Sequence, residues 1–277
     1  MLFTSPAFLF YFLPLCLLIF RFVTRGGTRL TALAKVTLIV FTYFFYGFEN
    51  TAYLFPFLFA TVMDYIWGVA LMRVESAFGR KLIVSMSVVQ NLSLFFIFKY
   101  LNWVHGLFPS CALLTHLHHT FADTNGMISL PPGISFYLFE SLSYVIDIYR
   151  RQIQAPKNPL DFLVFITMFP RFIAGPIVRF VDLKKHIDDY KSREVLSGLF
   201  VFSVGLVIKV LLADHFGEIT EALWGKEFSF LATTTALLSY SMQIYLDFSG
   251  YSLMAIGLGR ALGFPFFLTT FASLMWR

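Results

Sequence analysis

Residues 2–20 carry no charged side chain, and Arg21, Arg25, Arg29 and Lys35 follow at once. A run of that length matches the ~20 residues a helix needs to cross the hydrocarbon core of a bilayer. In hydrocarbon every backbone N–H and C=O must find its partner within the protein, which leaves helices and closed barrels as the spanning structures. No basic stretch precedes the run and no small-residue cleavage site follows it, so it reads as a retained first helix rather than a removed leader. The basic cluster puts its C-terminal end in the cytoplasm and the chain's N-terminus outside.

The pattern recurs. Apolar stretches occupy residues 36–48, 50–72, 82–98 and 128–148. Residues 50–72 end at Arg73, Arg80 and Lys81, and residues 128–148 at Arg150, Arg151 and Lys157, so both ends read as cytoplasmic. Of the 277 residues 58% are apolar, 13% are charged and 36 are Phe, with a mean hydropathy of +0.73. Soluble domains hold roughly 45–50% apolar residues, and disordered chains are poor in aromatics; both classes are excluded. The expected fold is an all-α polytopic membrane protein with room for about eight or nine spanning or re-entrant helices. Residues 1–277 read as a single integral domain in the lipid bilayer, without repeats or linkers. The net charge of +5 is assigned to basic cytoplasmic loops and not to nucleic acid. Cys16 and Cys111 have no metal-ligand spacing.

Further on, the pattern is less regular. Residues 162–178 are apolar but interrupted by Pro170, Arg171, Gly175 and Pro176, with Lys157 before and Arg179, Lys184 and Lys185 after. Basic residues at both ends predict a re-entrant or broken helix. Residues 195–213 then cross outward to Asp214, His215 and Glu218; residues 228–246 return, and 250–271 form the last apolar stretch.

Ionisable groups inside such segments each cost ~2.5–3.5 kcal/mol near the bilayer centre, so they face partners or cavities. Asp64, Glu140, Asp147, Arg171, Lys209, Asp247 and Arg260 qualify, and seven together suggest a hydrated interior. Gln243 and Asp247 are four apart and share a helix face with Ser239 and, roughly, Tyr240. That strip suits either the wall of a polar tunnel or an interhelical hydrogen-bond seam, and Gly250 is placed to break the helix. His105, His116, His118, His119 and Asp123 read as a wet interfacial loop rather than a metal site, for want of an assured helix or strand. Gly257, Gly259 and Gly263 miss the dinucleotide spacing and read as close helix packing.

Three blocks resemble the membrane-bound O-acyltransferase family in its alginate O-acetyltransferase branch. The first runs from Pro131-Pro132-Gly133-Ile134-Ser135-Phe136-Tyr137 to Ser141-Leu142-Ser143-Tyr144-Val145-Ile146-Asp147-Ile148-Tyr149-Arg150. The second is Phe169-Pro170-Arg171-Phe172-Ile173-Ala174-Gly175-Pro176-Ile177-Val178-Arg179, and the third is Tyr245-Leu246-Asp247-Phe248-Ser249-Gly250-Tyr251-Ser252 with Met254 to Gly259. The resemblance implies transfer of an acyl group, usually acetyl, from a cytoplasmic thioester such as acetyl-CoA, with no bound cofactor or metal. It implies as acceptor an exported polysaccharide or a partner extracytoplasmic acetyltransferase, in the inner membrane. It further implies that Gln243, Tyr245, Asp247, Ser249, Tyr251 and Glu140 line the tunnel, and that Arg171 and Arg179 meet the donor.

The family's third block leads into a Phe-Trp-Arg-Arg-Trp-His helix and then a helix with the catalytic histidine. Here Gly263-Phe264-Pro265 leads into Phe266-Phe267-Leu268-Thr269-Thr270-Phe271. None of His105, His116, His118, His119, His186 or His215 occupies a matching position, so no catalytic residue is assigned. The expectation is an N-terminal part of an O-acetyltransferase, truncated and inactive alone. A non-catalytic scaffold of a polysaccharide-export complex and, less favoured for want of an inverted repeat, a transporter are the other readings.

Overall fold

The computed structural model describes residues 1–25, 30–123, 126–171, 179–188, 190, 195–224 and 229–264, with the side chains of Asp182, Lys185 and His186 excepted. Residues 172–178 of the second block and residues 265–277 lie outside the described residues. All described elements are helical. A π-helical turn, Phe8–Phe12, runs into α1 (Leu13–Val23), followed by α2 (Ala32–Gly47), α3 (Leu54–Arg73), α4 (Ala77–Leu107), α5 (Ala112–Phe121), α6 (Ile134–Tyr149), α7 (Pro159–Thr167) and α8 (Phe180–Asp188). After α9 (Val195–Val207) a second π-helical turn, Ile208–Ala213, continues into α10 (Asp214–Leu223), and α11 is Phe230–Ala261.

The chain divides into two compact units. The second comprises the described residues of Thr42–Thr167 and Arg179–Val181, where α3, α4 and α6 pack on one another and α5 on α4. Gly133, at φ 71°, starts α6 in the left-handed region that a Cβ disfavours. Tyr144 of α6 lies against Gly68 of α3, where an added Cβ would stand 2.6 Å from its hydroxyl. Tyr46, Phe57 and Tyr137 form one aromatic cluster, and Tyr144, Phe162, Phe165 and Phe180 another.

Asp64 of α3 is fully buried between these helices. It accepts from Ser87 Oγ at 3.1 Å, Asn91 Nδ2 at 2.8 Å and Ser141 Oγ at 2.5 Å. Three donors from two neighbouring helices offset the desolvation of one carboxyl. Arg80 ties the C-terminal ends of α3 and α6 together. Its guanidinium donates to Leu71 O at 2.5 Å, Ile148 O at 3.0 Å and Tyr149 O at 2.9 Å, satisfying carbonyls that a helix end leaves open. Two helix ends held by one side chain lie on one side of the bilayer, as the basic residues after each require. Replacing Arg80 with Met is expected to cost about 3 kcal/mol, since charged hydrogen bonds contribute ~1.5–3 kcal/mol and buried carbonyls are left unmet. Thermal unfolding in nanodiscs reads that loss as a fall in Tm.

The first unit comprises the described residues of Met1–Phe41, Met168–Val178 and Asp182–Arg277. Phe8 and Phe12 pack on Phe169, and Phe8 also on Phe202. Its principal contact is α9 against α11, made through glycines. A Cβ on Gly198 would stand 2.6 Å from Gly257 O, and one on Gly205 2.6 Å from Gly250 O. Glycines seven apart on each helix, pairing 198 with 257 and 205 with 250, make an antiparallel seam of the small-residue kind that brings membrane helices together. The opposite flank of α9 presents Leu196 and Phe200, 84% and 71% exposed, which is the surface a bilayer covers.

Three helical stretches are long and apolar enough to cross a membrane among the described residues: Thr51–Arg73, Ala77–Leu107 and Val195–Leu223. Phe8–Val23 and Ala32–Gly47 are shorter apolar helices. Of residues 162–178, expected to form a broken helix, the described part is interrupted: α7 has 9 residues and a 3-10 turn, Phe169–Arg171, follows. Its rise of about 13 Å falls well short of the ~30 Å hydrocarbon core. Two expectations are corrected. The stretch from His105 is not a loop: α5 carries His116, His118 and His119. His118 is buried, 3.1 Å from Asn102 Oδ1 and stacked on His105 at 4.2 Å. Parallel stacked rings do not converge on an ion, and among the described residues no metal-ligand group forms. Nor does Gly250 break a helix: α11 runs unbroken for 32 residues, because that glycine is used for contact with α9.

Candidate active site

The polar strip of α11 lies against the π-helical turn and α10. Residues five apart on an α-helix are rotated by about 140°, whereas a π turn closes i→i+5 rings and sets them side by side. Through that turn Lys209 reaches Asp214 Oδ1 at 2.5 Å while also meeting Asp247 Oδ1 at 2.7 Å. The Lys209 side chain is only 14% exposed, and those of Asp214 and Asp247 are 48% and 35% exposed. The ammonium also stands 5.6 Å from the ring centroid of Tyr251, within cation–π range. One turn away, Gln243 lies against Gly217, where an added Cβ would be 2.8 Å from its Nε2. Ser239 continues the strip as a buried hydroxyl.

The candidate residues therefore separate. Gln243, Asp247 and Tyr251 lie together on the face of α11 that meets Lys209. Tyr245, 56% exposed, and the half-buried Ser249 are two residues from Asp247 in either direction, about 160° round the helix. Arg171 is buried, at the end of the 3-10 turn that packs on α11. In the second unit, Glu140 is buried in α6. Arg179 makes a two-pronged pair with Asp147, Nε to Oδ2 at 3.1 Å and Nη2 to Oδ1 at 2.8 Å, and bonds Gln152 Oε1 at 2.6 Å. Its charge is already engaged, so an incoming phosphate would compete with Asp147.

Lys209 and Asp247 stand in the sequence as separate intramembrane charges, and Asp214 as a residue beyond the span. Their convergence has no α-helical spacing to announce it, because it depends on the π turn. An ammonium held between two partly hydrated carboxylates, beside a tyrosine and a primary amide, gives an ion-lined polar strip along an otherwise apolar helix pair. Such a strip can orient a polar acyl carrier or pass a proton.

No family model matches the chain. Individual proteins do. It is 36% identical to the probable alginate O-acetylase AlgI of Azotobacter vinelandii over 96% of its own length and 52% of that protein's. It is 37% identical to the Pseudomonas aeruginosa protein of the same name over 96% of its length and 50% of that protein's. It is also 31% identical to the peptidoglycan O-acetyltransferase of Helicobacter pylori, over 94% of the chain and 54% of the relative. The chain spans about half the length of the curated relatives it matches. Identity of 36–37% over 96% of the chain places this multi-pass protein in the membrane-bound O-acyltransferase family, in the branch of the alginate O-acetylases.

Proposed function

We propose that the chain forms part of a membrane O-acyltransferase of the inner membrane. It moves an acetyl group from a cytoplasmic thioester, acetyl-CoA or a similar donor, to an extracytoplasmic polysaccharide or a partner acetyltransferase. The observation that carries this reading is the identity of 31–37% over at least 94% of the chain to proteins named as O-acetylases and O-acetyltransferases. In this reading the N-terminus lies outside and the basic ends of α1, α3 and α6 inside, so α10 ends on the outer side. Gln243, Asp247 and Tyr251 line the passage, and Lys209 holds the rotamer of Asp247. Arg171, beside α11, meets the donor's phosphates.

Transfer to a hydroxyl needs a group that accepts its proton. His215, next to the strip, faces Glu218 at 3.6 Å on an exposed surface, and His118 belongs to the second unit's packing. We assign that base to the part of the relatives' length that this chain does not span.

The test uses inverted membrane vesicles containing the chain together with the half of a relative's length that it does not span, with acetyl-labelled CoA added outside, where the cytoplasmic face now lies. The expected result is label on the enclosed acceptor, dependent on the chain. Label that enters only when donor is supplied to the opposite face would overturn the reading.

A further inference from the structure

Between the C-terminal end of α10 and the first third of α11, the first unit holds a cleft of about 490 Å³ lined by Thr220, Glu221, Trp224 and Tyr240. That size falls within the roughly 300–1,000 Å³ of small-molecule sites. It adjoins the polar strip but includes none of its ions. Glu221 and Tyr240 each stand seven residues from a carboxylate of that strip, Asp214 and Asp247, which is about 10 Å along the helix axis.

The lining chemistry is specific. Trp224 and Tyr240 are 58% and 48% exposed. Their rings are tilted by 47° with centroids 6.3 Å apart, so neither covers the other and both keep a face for a third body. The Thr220 hydroxyl spends its proton on Phe216 O at 2.8 Å, which leaves it an acceptor toward the cleft. Glu221 is exposed and forms no ion pair with a described residue. Two aromatic faces with two acceptors at their edge match a pyranose, whose C–H face stacks on rings while its hydroxyls donate sideways.

Charge narrows the class further. Beside the cleft, α10 carries Glu218 and Glu221 and no Lys or Arg. An acidic surface repels a lipid phosphate or a uronate carboxylate and leaves an uncharged sugar unopposed. We propose that this cleft seats one unit of a neutral glycan, a hexose or N-acetylhexosamine, stacked on Trp224 and Tyr240 and hydrogen-bonded to Glu221. The cleft would then receive the acceptor, and that role, though not the binding, rests on the acyltransferase reading.

The experiment is saturation-transfer NMR on the full chain in nanodiscs, with the tetramer of N-acetylglucosamine and the tetramer of mannuronate as probes. The expected result is binding of the neutral tetramer, weakened about tenfold, or ~1.4 kcal/mol, by Trp224→Ala and retained by Trp224→Phe. Mannuronate binds more weakly and gains on Glu221→Gln. No binding of the neutral tetramer overturns the proposal. So does binding indifferent to Trp224→Ala, which assigns the two rings to the bilayer's aromatic belt, and so does mannuronate binding as tight as the neutral tetramer. If the neutral tetramer binds through Trp224 while vesicles transfer no acetyl, the cleft stands and the acyltransferase reading fails. If transfer proceeds while Trp224→Ala leaves both binding and the acceptor KM unchanged, the cleft alone fails.

Discussion

Alanine at Gly257 should separate α9 from α11. The added Cβ meets only backbone: the amide nitrogen of Phe202, Gly198 O at 2.6 Å and Phe202 Cα at 2.7 Å. No rotamer change can relieve a clash with main chain, so the helices must move apart, opening the contact of 198 with 257 and with it that of 205 with 250. Overpacking of this kind costs about 1–3 kcal/mol or more. Alanine at Gly106 is the control, because nothing lies within 4 Å of a Cβ there. In a helix that change is neutral or stabilising by up to ~1 kcal/mol. One substitution at two glycines is thus expected to shift Tm in nanodiscs strongly downward at 257 and not at 106.

Lys209→Met should cost more function than stability. It leaves Asp214 and Asp247 without the ammonium that joins them at 2.5 and 2.7 Å. Breaking a buried pair costs roughly 3–5 kcal/mol, but both carboxylates are more than a third exposed and water screens them, so about 1–2 kcal/mol is expected here. Adding Asp247→Asn removes one of the two repelling charges and should recover part of that loss. Thermal unfolding of the single and double variants reads the coupling. Independent, additive losses would show that the ion pair contributes nothing.

Much of this architecture is legible in the chain because bilayer burial imposes simple rules. Apolar runs ended by arginines mark α1, α3 and α6, and Arg80 confirms that the latter two ends share a side. Gln243 and Asp247, four apart, do share a face. Gly257 does pack closely on α9, and Gly263 on Tyr190. What escaped is what depends on a partner. Gly250 reads as a breaker in isolation, yet its lack of a Cβ serves the α9 seam. The stretch holding His116, His118 and His119 looks polar and irregular until Asn102 and His105 of α4 give His118 a buried place. The link from Lys209 to Asp214 requires a π turn, which no α-helical periodicity reveals.

The proposed passage for acetyl transfer runs past Asp247, which Lys209 meets at 2.7 Å. The most direct test is the vesicle assay with Asp247→Asn, at membrane abundance equal to the unmodified protein. A fall in transfer of at least about tenfold, corresponding to ~1.4 kcal/mol, with unfolding nearly unchanged is the expected result. Full transfer by that variant would contradict the placement of the active passage along α11.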